Sequence, residues 1–254
     1  MIALDDVRRS TKRQRLNFAY SRRAEARYAS QLRKVAKQCG DIVAGFDPEE
    51  PGFLSHVRLA LTRYSEMIRP WARAVASRMI AEVALRDFKV WESISTEMGR
   101  GLREEIRGAA TGDVLKAFLA ENVHYITSIP RDAAERVHKM TMEGIAGSIR
   151  PKEVAKEIAR TTGVSSSRAT LIARTEIART QSGLTMARAL HVGSPGYTWR
   201  TARDSDVRQS HQEMEGKFVP WDEVPTLSDG TTTHAGMTFN CRCWAEVVIP
   251  DKFD

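Results

Sequence analysis

The chain has 254 residues, 42% hydrophobic and 28% charged, which suits a folded protein with a substantial core and excludes wholesale disorder. No run of 18 apolar residues occurs: the best candidate, Trp71 to Leu85, is interrupted by Arg73, Arg78 and Glu82, so no membrane-spanning helix is expected. Met1 to Arg9 has no apolar stretch of the secretory kind. Of the three cysteines, Cys39 is far from Cys241 and Cys243; they make no disulfide framework and suit a reducing cytoplasm.

The net charge of +7 is concentrated at the start: residues 1–40 hold eleven Lys or Arg against Asp5, Asp6 and Glu25, a local excess of +8. Arg8 to Gln38 lacks proline and carries the thin apolar stripe Leu16, Phe18, Tyr20, Leu32 and Val35, which predicts one long helix ending near Gly40. Residues 1–45 therefore read as a basic helical arm. Arg8, Arg9, Lys12, Arg13, Arg15, Arg22 and Arg23 are its candidate binding residues. They could neutralise phosphates in a salt-sensitive, sequence-independent way, dock on an acidic protein surface, or form a solvated face.

A turn-rich linker, Gly45 to Gly52, precedes a predicted helix over Phe53 to Met98, with Pro70 as the expected point of bending or restart. Gly99, Gly101, Gly108 and Gly112 predict short breaks. Two further helices are expected over Leu115–Ile129 and Arg131–Ile149, Pro130 serving the first turn of the second. Residues 46–150 thus read as a helical domain, a bundle or an extended stalk.

Pro151 to Arg160 reads as a helix closed by Gly163, with Ser165 or Ser166 capping the next. That next helix carries a narrow stripe of mostly small residues, Ala169, Ala173, Ile177, Leu184 and Ala187. Glu176 lies three residues before Arg179, a spacing that permits an ion pair. Arg174 and Glu176 are expected to brace this helix against the C-terminal module. The stretch Val154 to Arg174 also fits a helix-turn-helix with Gly163 in the turn, an alternative that makes the chain a sequence-reading DNA-binding protein.

From Gly196 the pattern changes. Tyr197 to Thr201 alternates like a strand, Asp204 is placed to cap a short helix through Glu215, and Gly216 to end it. Lys217–Trp221 and Trp244–Ile249 read as strands around a loop from Pro225 to Gly236. The expected class is α+β, mainly α: an N-terminal helical bundle or stalk, then residues 151–254 with helices over 151–192 and a small α+β module over 196–250.

A module of this size buries little apolar area and benefits from a staple. Cys241 and Cys243, two apart on a strand, point to one face, and His211 and His234 are the nearby imidazoles, so these four are the candidate zinc ligands. The competing reading is two reduced thiols packed under Trp244, with His211 bonded to Asp204 or Asp206. Catalysis has little support. Ser210 and His211 are adjacent on a helix and diverge by about 100°, which disfavours a hydrolytic triad with Asp204. A cysteine nucleophile paired with His211 is geometrically open. ADP-ribosyl transfer through Arg174 and Glu213-x-Glu215 rests on a pair that composition alone provides. No phosphate-binding glycine loop or zinc-protease helix is present.

Arg174-Thr175-Glu176, Trp199-Arg200-Thr201-Ala202-Arg203-Asp204, Arg208-Gln209-Ser210-His211, Gly216 and Asn240-Cys241-Arg242-Cys243 follow one another in an order that resembles the phage Mu F-like head morphogenesis family. The resemblance covers roughly residues 150 to 250. It implies a minor capsid protein made in the host cytoplasm, placed in the virion or precursor head, and associated with the portal protein, scaffold or major capsid protein, with double-stranded DNA as a further partner. Zinc is the sole cofactor considered. Some relatives carry Cys-x-x-Cys where this chain has Arg208 and His211, and arginine cannot coordinate a metal. Within the module, Arg174, Glu176, Trp199, Asp204, Arg208 and His211 are the residues expected to form the inner polar network, with no catalytic role assigned.

Overall fold

The first helix is set by a serine cap and an apolar stripe. Ser21 Oγ accepts the Ala24 backbone N–H at 3.2 Å, and α1 runs over Arg22–Ala44. Its buried residues Ala24, Tyr28, Leu32, Val35, Cys39 and Val43 recur every three or four positions. The structure, a computed structural model, describes residues 18–47, 50–98, 104, 107–147, 153–154, 157–158 and 161–250. Of the helix expected over 8–38, residues 8–17 lie outside the described residues, and the remainder is corrected at both ends. Residues 18–21 are not helical, and Gly40 lies inside α1, where burial of Cys39 and Val43 outweighs a glycine penalty of about 1 kcal/mol.

Helix α2 spans Phe53–Met67 and α3 spans Arg69–Met98. The break between them falls at Ile68, and Pro70 occupies the first turn of α3, where its missing N–H leaves nothing unpaired. Helix α4, Gly112–Ala146, is continuous with Pro130 inside it, so the two helices expected there are one. In the turn before Pro130, Thr127 Oγ1 donates to Val123 O at 3.0 Å and Ser128 Oγ to Tyr125 O at 2.9 Å.

Helix α5, Thr161–His191, likewise runs through Gly163. The turn that a helix-turn-helix would need is absent there, and Ser165 is not a cap: it is buried and accepts a hydrogen bond from Arg136 at 2.7 Å. Ala169, Ala173, Ile177 and Leu184 are buried as expected, while Ala187 is half-buried. Among the described residues no helix is long and apolar enough to cross a membrane.

Beyond α5 the chain forms β1 (Gly196–Thr201), the single turn α6 (Gln209–Gln212), β2 (Phe218–Pro220) and β3 (Cys243–Val247). Asp204 does not cap a helix reaching Glu215; its Oδ1 instead accepts the Asp206 N–H at 3.3 Å in a local turn. The sheet order is β2-β1-β3, with β1 antiparallel to both neighbours. Tyr197 pairs with Val247, Trp199 with Ala245 and Thr201 with Cys243, so these residues share one face. All six residues of β1 are buried. The fold is thus α+β and mainly helical.

The chain divides into two units, each gathered from stretches distant in sequence. One comprises residues 1–24, 79–118 and 174–254, the other 25–78 and 119–173. The first unit's core joins Phe18, Trp91, Ile94, Tyr197, Trp199 and Trp221, with the Phe18 and Trp91 rings edge-to-face at 5.7 Å. In the second, Tyr28 Oη donates to the buried Asn122 at 2.8 Å, and burial pushes the Cys39 thiol up to about 12.

Candidate functional site

The motif pieces meet around the turn that precedes β3. Asn240 has φ of +54°, a left-handed conformation that asparagine tolerates better than most residues. The middle of α5 holds it there: Asn240 N–H donates to Thr175 Oγ1 at 3.0 Å, and Arg174 donates to Asn240 Oδ1 at 2.9 Å. Arg208 adds a bond to the Phe239 carbonyl at 2.8 Å. Arg174 and Arg208 therefore converge on one turn from two elements.

The other expected network residues go elsewhere. Glu176, buried, pairs with Arg179 at 3.4 Å, as their spacing anticipated. Asp204 pairs with Arg242, which also reaches Asp206, and with Arg22 at 3.6 Å. Arg23 is exposed. Arg8, Arg9, Lys12, Arg13 and Arg15 lie outside the described residues. Trp199, fully buried, presents its edge to the His211 ring at 5.7 Å.

His211 faces the cysteines. Its Nδ1 lies 3.4 Å from Cys243 Sγ and 3.6 Å from Cys241 Sγ. Its partners are thus thiols rather than Asp204 or Asp206. His234, the other candidate ligand, stands outside this group. Its Nδ1 lies 3.1 Å from Tyr197 Oη, and burial lowers its pKa. A hydrogen bond from Cys243 and the nearby His211 hold the Cys241 thiol below its ordinary value, while that same bond and burial push Cys243 up. Ser210 donates to Asp229 at 2.8 Å, so it is not paired with His211 as a triad would require.

Two charge clusters had no signature in the sequence. On the other face of the sheet, Arg200 bridges the buried Glu246 and, at 3.3 Å, Glu215. Glu215 also accepts from Thr201 N at 2.6 Å, Thr201 Oγ1 at 2.9 Å and Arg203 at 2.8 Å. Burial works against its charged form, yet these bonds hold its pKa below the usual carboxylate value. In the second cluster, Asp87, fully buried on α3, takes Gln181 at 2.9 Å, Thr185 at 2.9 Å and Arg188 at 2.8 Å from one face of α5. The Asp87 cluster is legible only once its partners, 94 to 101 residues away, are known.

Residues 135–246, the C-terminal part of the chain, match the family model described as Phage Mu protein F like protein. The Mu F-like region includes α5, the whole sheet up to Glu246 and every contact of the 239–243 turn named above. An uncharacterized protein of Haemophilus influenzae is 27% identical over 239 residues, covering 88% of this chain and 53% of the relative. The chain thus spans about half the length of that curated relative. No solved structure matches.

One pH effect follows from this site. Asp229 is held down to about 2 by the Thr231 backbone N–H and by Ser210. A depressed carboxylate pKa contributes stability above the unfolded value, lost as pH falls through the folded one. The thermal midpoint of wild type should therefore exceed that of Asp229→Asn above about pH 4, and the two should converge towards pH 2. A gap that stays constant across this window would contradict the assignment.

Proposed function

We propose that the chain is a minor head protein of a tailed phage, acting in head assembly by binding the portal vertex or the scaffold. The observation that carries this reading is the family match over residues 135–246. The geometry supports a binding role: the motif residues brace one another into a rigid sheet module, with Arg174, Thr175 and Arg208 fixing the turn before β3. On this reading the protein is a structural component rather than an enzyme, and it resides in the precursor head or virion after synthesis in the host cytoplasm. Residues 151–254 form the head-morphogenesis domain, 46–150 a helical domain, and 1–45 a basic arm that contacts packaged double-stranded DNA.

The deciding measurement is quantitative mass spectrometry of phage particles and precursor heads from one infection, scaled to the portal protein. A fixed small ratio in both is the expected result; absence from both would overturn the proposal. For the basic segment, replacing Arg8, Arg9, Lys12, Arg13 and Arg15 by glutamine should weaken DNA binding whose affinity falls steeply with salt. Binding that ignores salt would exclude the electrostatic contact.

A further inference from the structure

Three ligand-type side chains from separate parts of the module meet in its interior. His211 sits on α6, Cys241 just before β3 and Cys243 at its start; their Nδ1 and two Sγ atoms all lie within 4.8 Å of one another. The residues are 3%, 1% and 1% exposed, and both thiols are free. A tetrahedral ion with thiolate bonds of about 2.3 Å and an imidazole bond of about 2.0–2.1 Å requires sulfur–nitrogen separations of about 3.6 Å. The observed separations are 3.4 and 3.6 Å. Hydrogen bonding explains this arrangement less well. Nδ1 offers one proton or one lone pair, yet it faces two sulfurs, whereas a metal ion uses all three donors at once.

We propose that His211 Nδ1, Cys241 Sγ and Cys243 Sγ bind one zinc-class divalent ion, the fourth position being taken by a non-protein ligand. Two thiolates and an imidazole are a soft donor set that selects zinc over magnesium or calcium. Among the described residues no fourth His, Cys, Asp or Glu joins the group, and His234 is engaged with Tyr197 instead. The Trp199 and His211 rings meet edge-to-face at 5.7 Å between centroids, which limits how the imidazole can turn. The ion ties α6 to β3 across some thirty residues and staples a sheet of three short strands. This assignment stands independently of the head-assembly role.

The test uses the full chain with cobalt(II) as the probe. Wild type should bind about one cobalt per chain with a thiolate-to-cobalt charge-transfer band. Cys241→Ser, Cys243→Ser and His211→Ala should each weaken binding by more than about tenfold, and His234→Ala should bind like wild type. A folded wild-type chain that carries no zinc and gives no such band would overturn the site. So would loss of the band in folded His234→Ala, which would put a fourth protein ligand in the set. Because ligand variants can unfold, the thiols of wild type give a second readout: Cys241 and Cys243 should react with a thiol reagent only after a chelator is added. Equal rates with and without chelator would overturn the proposal.

Discussion

Replacing Asp87 by alanine is expected to cost about 3–5 kcal/mol of stability, because it strips a buried guanidinium of its carboxylate. Asp87 is 0% exposed, and Arg188, 6% exposed, donates to it at 2.8 Å. Gln181 and Thr185 lose an acceptor in the same step. Urea unfolding followed by circular dichroism measures the effect. The double variant Asp87→Ala with Arg188→Met should recover part of the loss, since it removes both members of the buried charge pair. A double variant as unstable as the sum of the singles would show that the pair does not act as one unit.

Trp199→Ala is expected to cost a comparable amount, about 3–5 kcal/mol, through the cavity it leaves. The side chain is fully buried at the centre of the sheet, with Tyr197 at 6.4 Å and His211 at 5.7 Å between ring centroids. Trp199→Phe keeps most of the apolar volume and should lose much less. Guanidinium unfolding of both variants checks this ordering, and a loss under about 1 kcal/mol for the alanine variant would contradict the packing described.

Local chemistry made some of this architecture legible. Alternation from Tyr197 to Thr201 identified the central strand, and the turn-rich stretch around Gly45 and Gly52 identified the gap between α1 and α2. The order of the motif pieces pointed to the family whose model matches residues 135–246. What misled was punctuation. Gly40, Gly163 and Pro130 read as helix ends, yet each lies within a helix. A stripe of buried side chains outweighs a glycine's backbone penalty and the one helical bond that a proline's missing N–H forgoes. At the candidate site, Cys-x-Cys and His211 were readable from spacing and residue type. His234 was as good a ligand by sequence, and only the fold turns it towards Tyr197. The Asp87 cluster was out of reach, because a lone aspartate in an amphipathic helix looks like any solvated one until its partners are placed.

That same aspartate bears on how the family region can be inherited. Arg188 lies inside the segment that matches the Mu F-like family, 135–246, but the carboxylate that neutralises it comes from residue 87, upstream of the match. The shared segment is therefore not a self-sufficient cassette. Moving that segment alone would leave behind the Asp87 carboxylate that Arg188 bonds in this chain.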